Sequence, residues 1–170
     1  MSPCVLWIDE IEKAISTGDY DSGTSQRLLA TLLTWMAENK KPVFIVATAN
    51  KIADLPPELI RKGRLDEIFF VDFPTEKVRQ QIFEIHCNKR ELDTINLDMG
   101  LLASKTAGFS GAEIEQIVVS SFYRAHAANS SVDTTAILAE IETTRPLSVV
   151  MKEGISDLRA WAKDRTVMAD

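Results

Sequence analysis

The chain has 170 residues, of which 45% are hydrophobic and 26% charged, and its net charge at pH 7 is −6. This composition is typical of a globular domain with a real core and excludes a disordered chain. The net negative charge argues against broad binding to nucleic acid or anionic membranes, and no apolar run approaches the ~20 residues of a membrane span.

The first predicted element is a β-strand at residues 4–8, which ends at the adjacent carboxylates of Asp9 and Glu10. A continuous apolar run is typical of a parallel strand buried on both faces, so we expect Trp7 in the core. Buried strands seldom open a domain, and we therefore expect the chain to begin inside a larger fold.

Further strands and helices follow as far as Pro74. We expect the strand aromatics Phe44 and Phe69 in the core. In chain order, the pattern predicts a helix at 10–16, a helix through Leu28 to Met36, a strand at 43–48, a short helix from Pro56 to Gly63 and a strand at 68–73.

After Pro74 the pattern predicts helices alone. Ser110 and Glu113 have the spacing of a capping box, which marks a helix start. We divide the chain into a domain at 1–73, a helical domain at 74–145 and a C-terminal helix at 146–170. The predicted helices lie at 75–89, 97–106, 111–128, 134–143 and 148–163.

The acidic pair after the first strand has two interpretations. Carboxylates at the carboxyl end of a parallel strand can hold Mg²⁺ and orient a water for phosphoryl transfer. Alternatively, acids simply suit the first turn of the following helix. Asn50, after the second strand, is open to a similar choice between a phosphate-directed amide and a turn residue.

Four segments together resemble motifs of the AAA+ ATPases. Val5-Leu-Trp-Ile-Asp-Glu-Ile11 looks like their Walker B strand. Val46-Ala-Thr-Ala-Asn50 resembles the strand that carries their sensor-1 asparagine. Leu55-Pro-Pro-Glu-Leu-Ile-Arg-Lys-Gly-Arg-Leu-Asp66 is similar to the segment with their paired arginine fingers. Thr106-Ala-Gly-Phe-Ser-Gly-Ala-Glu113 looks like their lid signature.

The tail resembles the C-terminal segment of AAA+ proteins of cyanobacteria and algal chloroplast genomes. The residues that carry this likeness are Pro146-Leu-Ser-Val-Val-Met-Lys-Glu153 and Leu158-Arg-Ala-Trp-Ala162.

The resemblance implies an α/β fold: a partial P-loop NTPase parallel sheet without the Walker A strand, followed by an all-helical lid. No Gly-x-x-x-x-Gly-Lys-Ser/Thr occurs in the chain. The missing strand would lie between the second and third strands, so we expect strand 68–73 to lack its neighbour. Our hypothesis is that residues 1–73 form a partial fold, less resistant to proteolysis than the helices.

By resemblance, Asp9 holds the Mg²⁺ shell directly or through water, Glu10 polarises the attacking water, and Asn50 senses the γ-phosphate of ATP. Arg61 and Arg64 act in the neighbouring subunit's nucleotide site, which requires an oligomer. The alternative for the arginines is a last-turn position that offsets a helix dipole.

Three residues of the helical part match nucleotide-contacting positions of the family. His86 contacts the ribose or base, although a lone histidine on such a helix is often a boundary residue. Gly111 and Ala112 approach the adenine side, or merely suit a helix start.

The resemblance implies an ATP-hydrolysing subunit of a homo-oligomeric ring that remodels a protein client, once joined to a Walker A half. The 170 residues alone are expected to be inactive. The competing hypothesis is a non-catalytic oligomerisation module. The expected compartment is the cytoplasm, or the chloroplast stroma if the source is an alga.

Overall fold

The computed structural model describes residues 2–15, 22–61 and 63–169. It divides into two compact units, the first of Met1–Phe69 with Trp161–Val167 and the second of Phe70–Ala160 with Met168–Asp170. The tail therefore contributes residues to both units.

The first unit contains a parallel pair of strands. β1 (Cys4–Ile8) and β2 (Val43–Ala47) run side by side, with Leu6 opposite Ile45. Parallel neighbours need a long crossover. Here the crossover contains the helices α1 (Ile11–Ile15) and α2 (Ser22–Glu38).

One face of this sheet packs against a small core. Ile8 and Ala47 lie on that face and contact a cluster that also includes leucines of α2. The buried members of the cluster are Ile11, Ile15, Leu55 and Leu59.

The strand aromatics are exposed, so their predicted core positions are wrong for this chain. Trp7 is 63%, Phe44 69% and Phe69 61% exposed. Successive strand side chains alternate between faces, so Trp7 and Phe44 lie opposite the face of Ile8 and Ala47. The described residues leave that second face uncovered, whereas the apolar run had indicated burial on both faces.

The third strand is shorter than predicted and has a neighbour. β3 (Phe69–Phe70) pairs with β4 (Val167–Met168) of the tail. The Val167 N–H donates to the Ile68 carbonyl at 2.9 Å, and the Ala169 N–H donates to the Phe70 carbonyl at 3.0 Å. The expectation of an unpaired strand failed because the tail supplies the missing hydrogen bonds.

The predicted short helix from Pro56 to Gly63 is replaced by turns in the residues that the structure describes. A single 3₁₀ turn, Ile52–Asp54, precedes them. The Leu59 N–H donates to the Pro56 carbonyl, and the Arg64 N–H to the Arg61 carbonyl. Gly63 has a φ of +90°, which suits glycine and ends any helical path.

The second unit is helical. Its core contains Phe83, Leu102, Ile114 and Ile137, all fully buried. The predicted helix at 148–163 is two helices, separated at Met151. The helices are α3 (Glu76–Asn88), α4 (Met99–Lys105), α5 (Gly111–Ala127), α6 (Thr134–Thr143), α7 (Leu147–Val150) and α8 (Lys152–Ala162).

The start of α5 confirms the capping box. The Glu113 N–H donates to the Ser110 hydroxyl, and the Ser110 N–H donates to the Glu113 carboxylate at 2.7 Å. The other oxygen of Glu113 accepts from the Leu147 N–H at 2.7 Å, which ties the start of α7 to the same cap.

Both cysteines are free thiols. Burial raises the pKa of Cys87 to about 11, although the positive charge of Arg90 acts in the opposite direction. Within the described residues, no helix combines the length and apolar character that crossing a membrane requires.

Candidate functional site

The carboxyl ends of β1 and β2 meet at one edge of the sheet. Two backbone hydrogen bonds join them beyond the last strand pair, Ile8 with Ala47. The Thr48 N–H donates to the Ile8 carbonyl at 3.0 Å, and the Ile11 N–H donates to the Thr48 carbonyl at 2.9 Å. The residues between these anchors are Asp9 and Glu10, so both acids lie at this edge.

The Thr48 hydroxyl contacts both acidic residues. It donates to Asp9 Oδ1 at 2.5 Å and accepts from the Glu10 N–H at 3.0 Å. The same group thereby orients the Asp9 carboxylate and holds the Glu10 backbone. Sequence reasoning missed Thr48, although its place just after a strand and two residues before Asn50 could have indicated it.

Glu10 has a left-handed backbone, with a φ of +48°. This region is costly for a residue with a Cβ and persists where the surroundings hold it, as at functional sites. Here the bonds from the Glu10 and Ile11 amides to Thr48 hold it. The turn directs the Glu10 side chain toward Asn50.

The Glu10 carboxylate has two partners. Asn50 Nδ2 donates to its Oε1 at 3.0 Å, and Lys13 Nζ donates to its Oε2 at 2.6 Å. The structure thus brings Glu10 and Asn50 into contact, with Asp9 joined to them through Thr48. The hydrogen bond with Glu10 and the charge of that carboxylate raise the pKa of the exposed Lys13.

A third acid lies behind this cluster. Glu12, in the first turn of α1, is only 4% exposed. Its Oε1 accepts from the Asn50 N–H at 3.0 Å, and its Oε2 has no hydrogen-bond partner among the described residues. The sequence indicated an acidic first turn but not this contact.

The two arginines have different surroundings. Arg61 is exposed, whereas Arg64 is half-buried and donates through Nη1 to the Leu33 carbonyl at the inner side of α2. In the part of the chain that the structure describes, neither forms a hydrogen bond or ion pair with Asp9, Glu10 or Asn50.

The remaining predicted site residues belong to the second unit. His86 lies on α3, with Nδ1 3.4 Å from Glu115 Oε1 but without a hydrogen bond. Gly111 and Ala112 are the first residues of α5, and Gly111 faces Ile82 of α3. The predicted residues therefore form two groups, one in each unit.

The donor chemistry at the sheet edge suits magnesium. Asp9 is exposed and uses one oxygen for Thr48, and among the described residues the other oxygen has no hydrogen-bond partner. Mg²⁺ is usually bound by one or two protein carboxylates together with phosphate oxygens and water. The described residues contain no cluster of three His, Cys, Asp or Glu side chains that could hold a metal ion by themselves. Asp9 fits the role of a single carboxylate in a shared magnesium shell.

Two family models match the chain. The first describes the ATPase family associated with various cellular activities (AAA) and matches residues 1–73. The second describes the AAA+ lid domain and matches residues 96–139. The chain belongs to the AAA family.

Relatives support this assignment. An "Uncharacterized AAA domain-containing protein ycf46" of Pyropia yezoensis is 46% identical over 170 residues, covering 96% of this chain and 34% of that protein. The protein of the same name from Guillardia theta is 43% identical over 165 residues, covering 95% of this chain and 33% of its own length. The chain thus spans about a third of the length of these relatives.

A more distant relative has a different name. A cell division cycle protein 48 homolog of Archaeoglobus fulgidus is 36% identical over 122 residues, which cover 69% of this chain and 16% of that protein. The fold is accordingly an AAA domain segment with a small parallel sheet, followed by a helical AAA+ lid.

Proposed function

We propose that this chain is part of an ATP-binding and ATP-hydrolysing AAA subunit of the remodelling type. The observation that supports the proposal most is the contact of Asn50 with Glu10, next to Asp9, at the ends of two adjacent parallel strands. Ligands of open α/β sheets bind outside the carboxyl ends of the strands, where this cluster lies. A phosphate-gripping segment from other polypeptide is required, because the 170 residues contain no P-loop motif.

Each member of the cluster has a proposed role. Mg²⁺, when bound through Asp9, would offset the negative charge that phosphoryl transfer concentrates on the phosphate oxygens. Glu10 polarises the attacking water and accepts its proton. Asn50 orients that water or the γ-phosphate through its amide. Each Glu10 oxygen already accepts one hydrogen bond, and because a carboxylate oxygen has two lone pairs, a water can bind there beside Lys13 or Asn50.

The arginines are proposed to act between subunits of a homo-oligomeric ring. Guanidinium groups suit the charge that develops on a transferring phosphoryl group. The exposure of Arg61 is consistent with a contact to another subunit. Arg64 would first have to release the Leu33 carbonyl.

The lid residues are proposed to contact the nucleoside. His86 would approach the ribose or base, and Gly111 and Ala112 the adenine side. Within the described residues, His86 Nδ1 is buried without a hydrogen bond and lies 3.4 Å from Glu115 Oε1, so a ligand contact at this atom requires His86 or Glu115 to move. The client is proposed to be a protein, and the compartment the cytoplasm or, in an alga, the chloroplast stroma.

A non-catalytic interaction module is the second candidate. It is favoured by the absent P-loop motif and by the large exposed side chains of β1 and β2, including Trp7 and Phe44. In that case the acidic cluster would only stabilise the edge of the sheet.

A chimera separates the two candidates. The chain would replace the matching third of the Pyropia yezoensis relative, and phosphate release from ATP would be measured with and without Mg²⁺. We expect Mg²⁺-dependent turnover that Glu10→Gln lowers by about 10²-fold or more, the usual contribution of a general base. Glu38→Gln, at the exposed end of α2, is the matched control and should retain full activity.

The proposal of an ATPase fails if the chimera binds ATP but releases no more phosphate than its Glu10→Gln variant. The chain alone should show no turnover under the same conditions.

A further inference from the structure

Glu12 is a buried acid that the proposed chemistry does not use. Its side chain is 4% exposed, on the core side of α1 between Ile11 and Ile15. Acids favour the first turn of a helix because of the helix dipole, but an acid at a neighbouring exposed position, such as that of Lys13, would satisfy this preference equally well. Burial of a carboxyl group is costly unless its oxygens accept hydrogen bonds.

The hydrogen bond to Asn50 is the one polar contact that the described residues give to Glu12. It joins Glu12 Oε1 to the Asn50 backbone N–H across 38 positions of sequence. The second oxygen, Oε2, is buried without a partner. A buried acid with only one of its two oxygens hydrogen-bonded stabilises the fold poorly, so stability alone does not explain its presence.

The contact continues a series of bonds between the ends of the two strands. Thr48 is hydrogen-bonded to the residues that follow β1, but these bonds do not reach Asn50, which lies two residues further along the chain. Beyond Thr48, the Asn50 backbone is held by Glu12, while the Asn50 side chain reaches Glu10. The two acids therefore hold opposite ends of one residue.

We propose that Glu12 is a positioning residue that sets the place of the Asn50 amide relative to Glu10. This inference rests on the proposed function, since it assigns Glu12 to the same phosphate-directed cluster. Glu12 does not touch the reacting atoms. It restrains the Asn50 backbone, and the Asn50 side chain transmits the restraint to the carboxylate that activates water.

The first test uses the 170-residue chain and needs no nucleotide. Hydrogen exchange and nitrogen–proton correlation spectra would be recorded for the parent, Glu12→Ala and Glu12→Gln. In Glu12→Ala we expect the Asn50 N–H to exchange roughly two- to tenfold faster, as loss of one hydrogen bond predicts, and the Asn50 side-chain amide to shift toward exposed values. Glu12→Gln keeps an acceptor oxygen and should restore both signals.

The control is Glu38→Ala, which removes an exposed acid of the same unit. The positioning role is overturned if Glu12→Ala leaves the Asn50 signals unchanged. It is equally overturned if exchange accelerates by the same factor throughout the unit, because that pattern indicates general destabilisation.

The second test uses the chimera described above. Glu12→Ala should lower kcat by about tenfold or more, since a misplacement of ~1 Å can cost on the order of 10²-fold, and Glu12→Gln should restore it. The KM for ATP should stay within about twofold, because interactions that position reacting groups act mainly on kcat.

The two failures are distinguishable. A chimera that binds ATP but shows no turnover refutes the proposed ATPase, while the Asn50 signals still decide whether Glu12 restrains that residue. An active chimera in which Glu12→Ala keeps full kcat refutes the positioning role alone.

Discussion

The hydroxyl of Thr48 contacts the two acids at the end of β1 in different ways. It donates to the carboxylate of Asp9 and accepts from the backbone of Glu10, whose φ is +48°. One side chain thus orients a carboxylate and supports a strained backbone. A valine there would have nearly the same shape but neither hydrogen bond.

Thr48→Val should therefore destabilise the first unit by about 1–3 kcal/mol, the cost of leaving such groups without a partner. Urea denaturation followed by tryptophan fluorescence measures this, because Trp7 and Trp35 both lie in that unit. Thr48→Ser keeps the hydroxyl and is the control. Equal midpoints for the valine variant and the parent would contradict the role of the hydroxyl.

The individual site residues were predictable to different degrees. Asp9, Glu10 and Asn50 follow apolar runs, and the convergence of parallel strand ends places them together. Thr48 and Glu12 act through contacts 38 or 39 positions away in sequence, which local patterns do not reveal. Arg64 likewise has a partner, the Leu33 carbonyl, that only the packed chain supplies.

Gly108 lies in the connection between α4 and α5, close to α7. Its φ is +80°, and a Cβ added there would clash with Ser148 Oγ. The glycine therefore meets two requirements, a left-handed backbone and a close approach of the α7 side chain.

We expect Gly108→Ala to lower the stability of the second unit by about 1–3 kcal/mol, the range for a strained residue. Adding Ser148→Ala should recover only part of the loss, because the backbone strain remains. Gly100→Ala is the matched control, since its new Cβ would make an ordinary contact at 3.5 Å with Asp98. Thermal unfolding followed by circular dichroism measures the stability of the single variant, the double variant and the control. A Gly108→Ala variant as stable as the parent would contradict the expectation.

An ion pair joins α8 to the segment after β3. Arg159 donates to both oxygens of Asp72, at 2.7 to 3.1 Å, and its guanidinium lies 5.8 Å from the centre of the Phe73 ring. Burial alone would raise the pKa of Asp72, but the hydrogen bonds from Arg159 and from the Phe73 N–H outweigh it. The native pKa of Asp72 is therefore below 3.8.

The sign of the acid dependence follows from this lowered pKa. The pair contributes fully at pH values above 3.8, the pKa of the unfolded carboxyl, and its contribution is lost as the pH falls through the lower native value. Asp72→Asn should lower stability at pH 7 by less than about 1 kcal/mol, as for partly exposed pairs, and should flatten the acid dependence.

Thermal unfolding of the second unit at pH 7 and pH 3 measures this difference. Asp157→Asn neutralises an exposed acid of α8 and serves as the control. An unchanged difference between the two pH values in Asp72→Asn would show that the pair does not carry the dependence.

The elements themselves were largely predictable. The helices α3, α5 and α6 have apolar spacing and capping residues that specify their starts locally. The length of β3 was not predictable from the sequence, because a strand extends only as far as it is paired with a neighbouring strand. That partner, β4, comes from the tail.

The two units of the molecule have cores of different size. The second unit buries a large cluster between its helices, whereas the described residues of the first form a buried apolar cluster of four and leave one face of its sheet exposed. Hydrophobic stabilisation scales with the apolar area removed from water, so the first unit is expected to be the less stable.

Limited proteolysis should therefore cut the first unit before the lid. The expected product is a resistant fragment that contains α3 to α6, identified by mass spectrometry. Equal resistance of residues 1–73 and of the helices would contradict the hypothesis of a partial fold.

At the scale of the whole molecule, the sequence alone determined the family, the order of strands and helices, and the acids and amide at the strand ends. These depend on local periodicity, capping and motif spacing, which are properties of short segments. The tertiary structure decided the exposure of Trp7 and Phe44, the pairing of β3 with the tail, and the hydrogen bonds of Thr48 and Glu12. Those features depend on which distant surfaces meet, because burial and hydrogen bonding are settled by partners far along the chain.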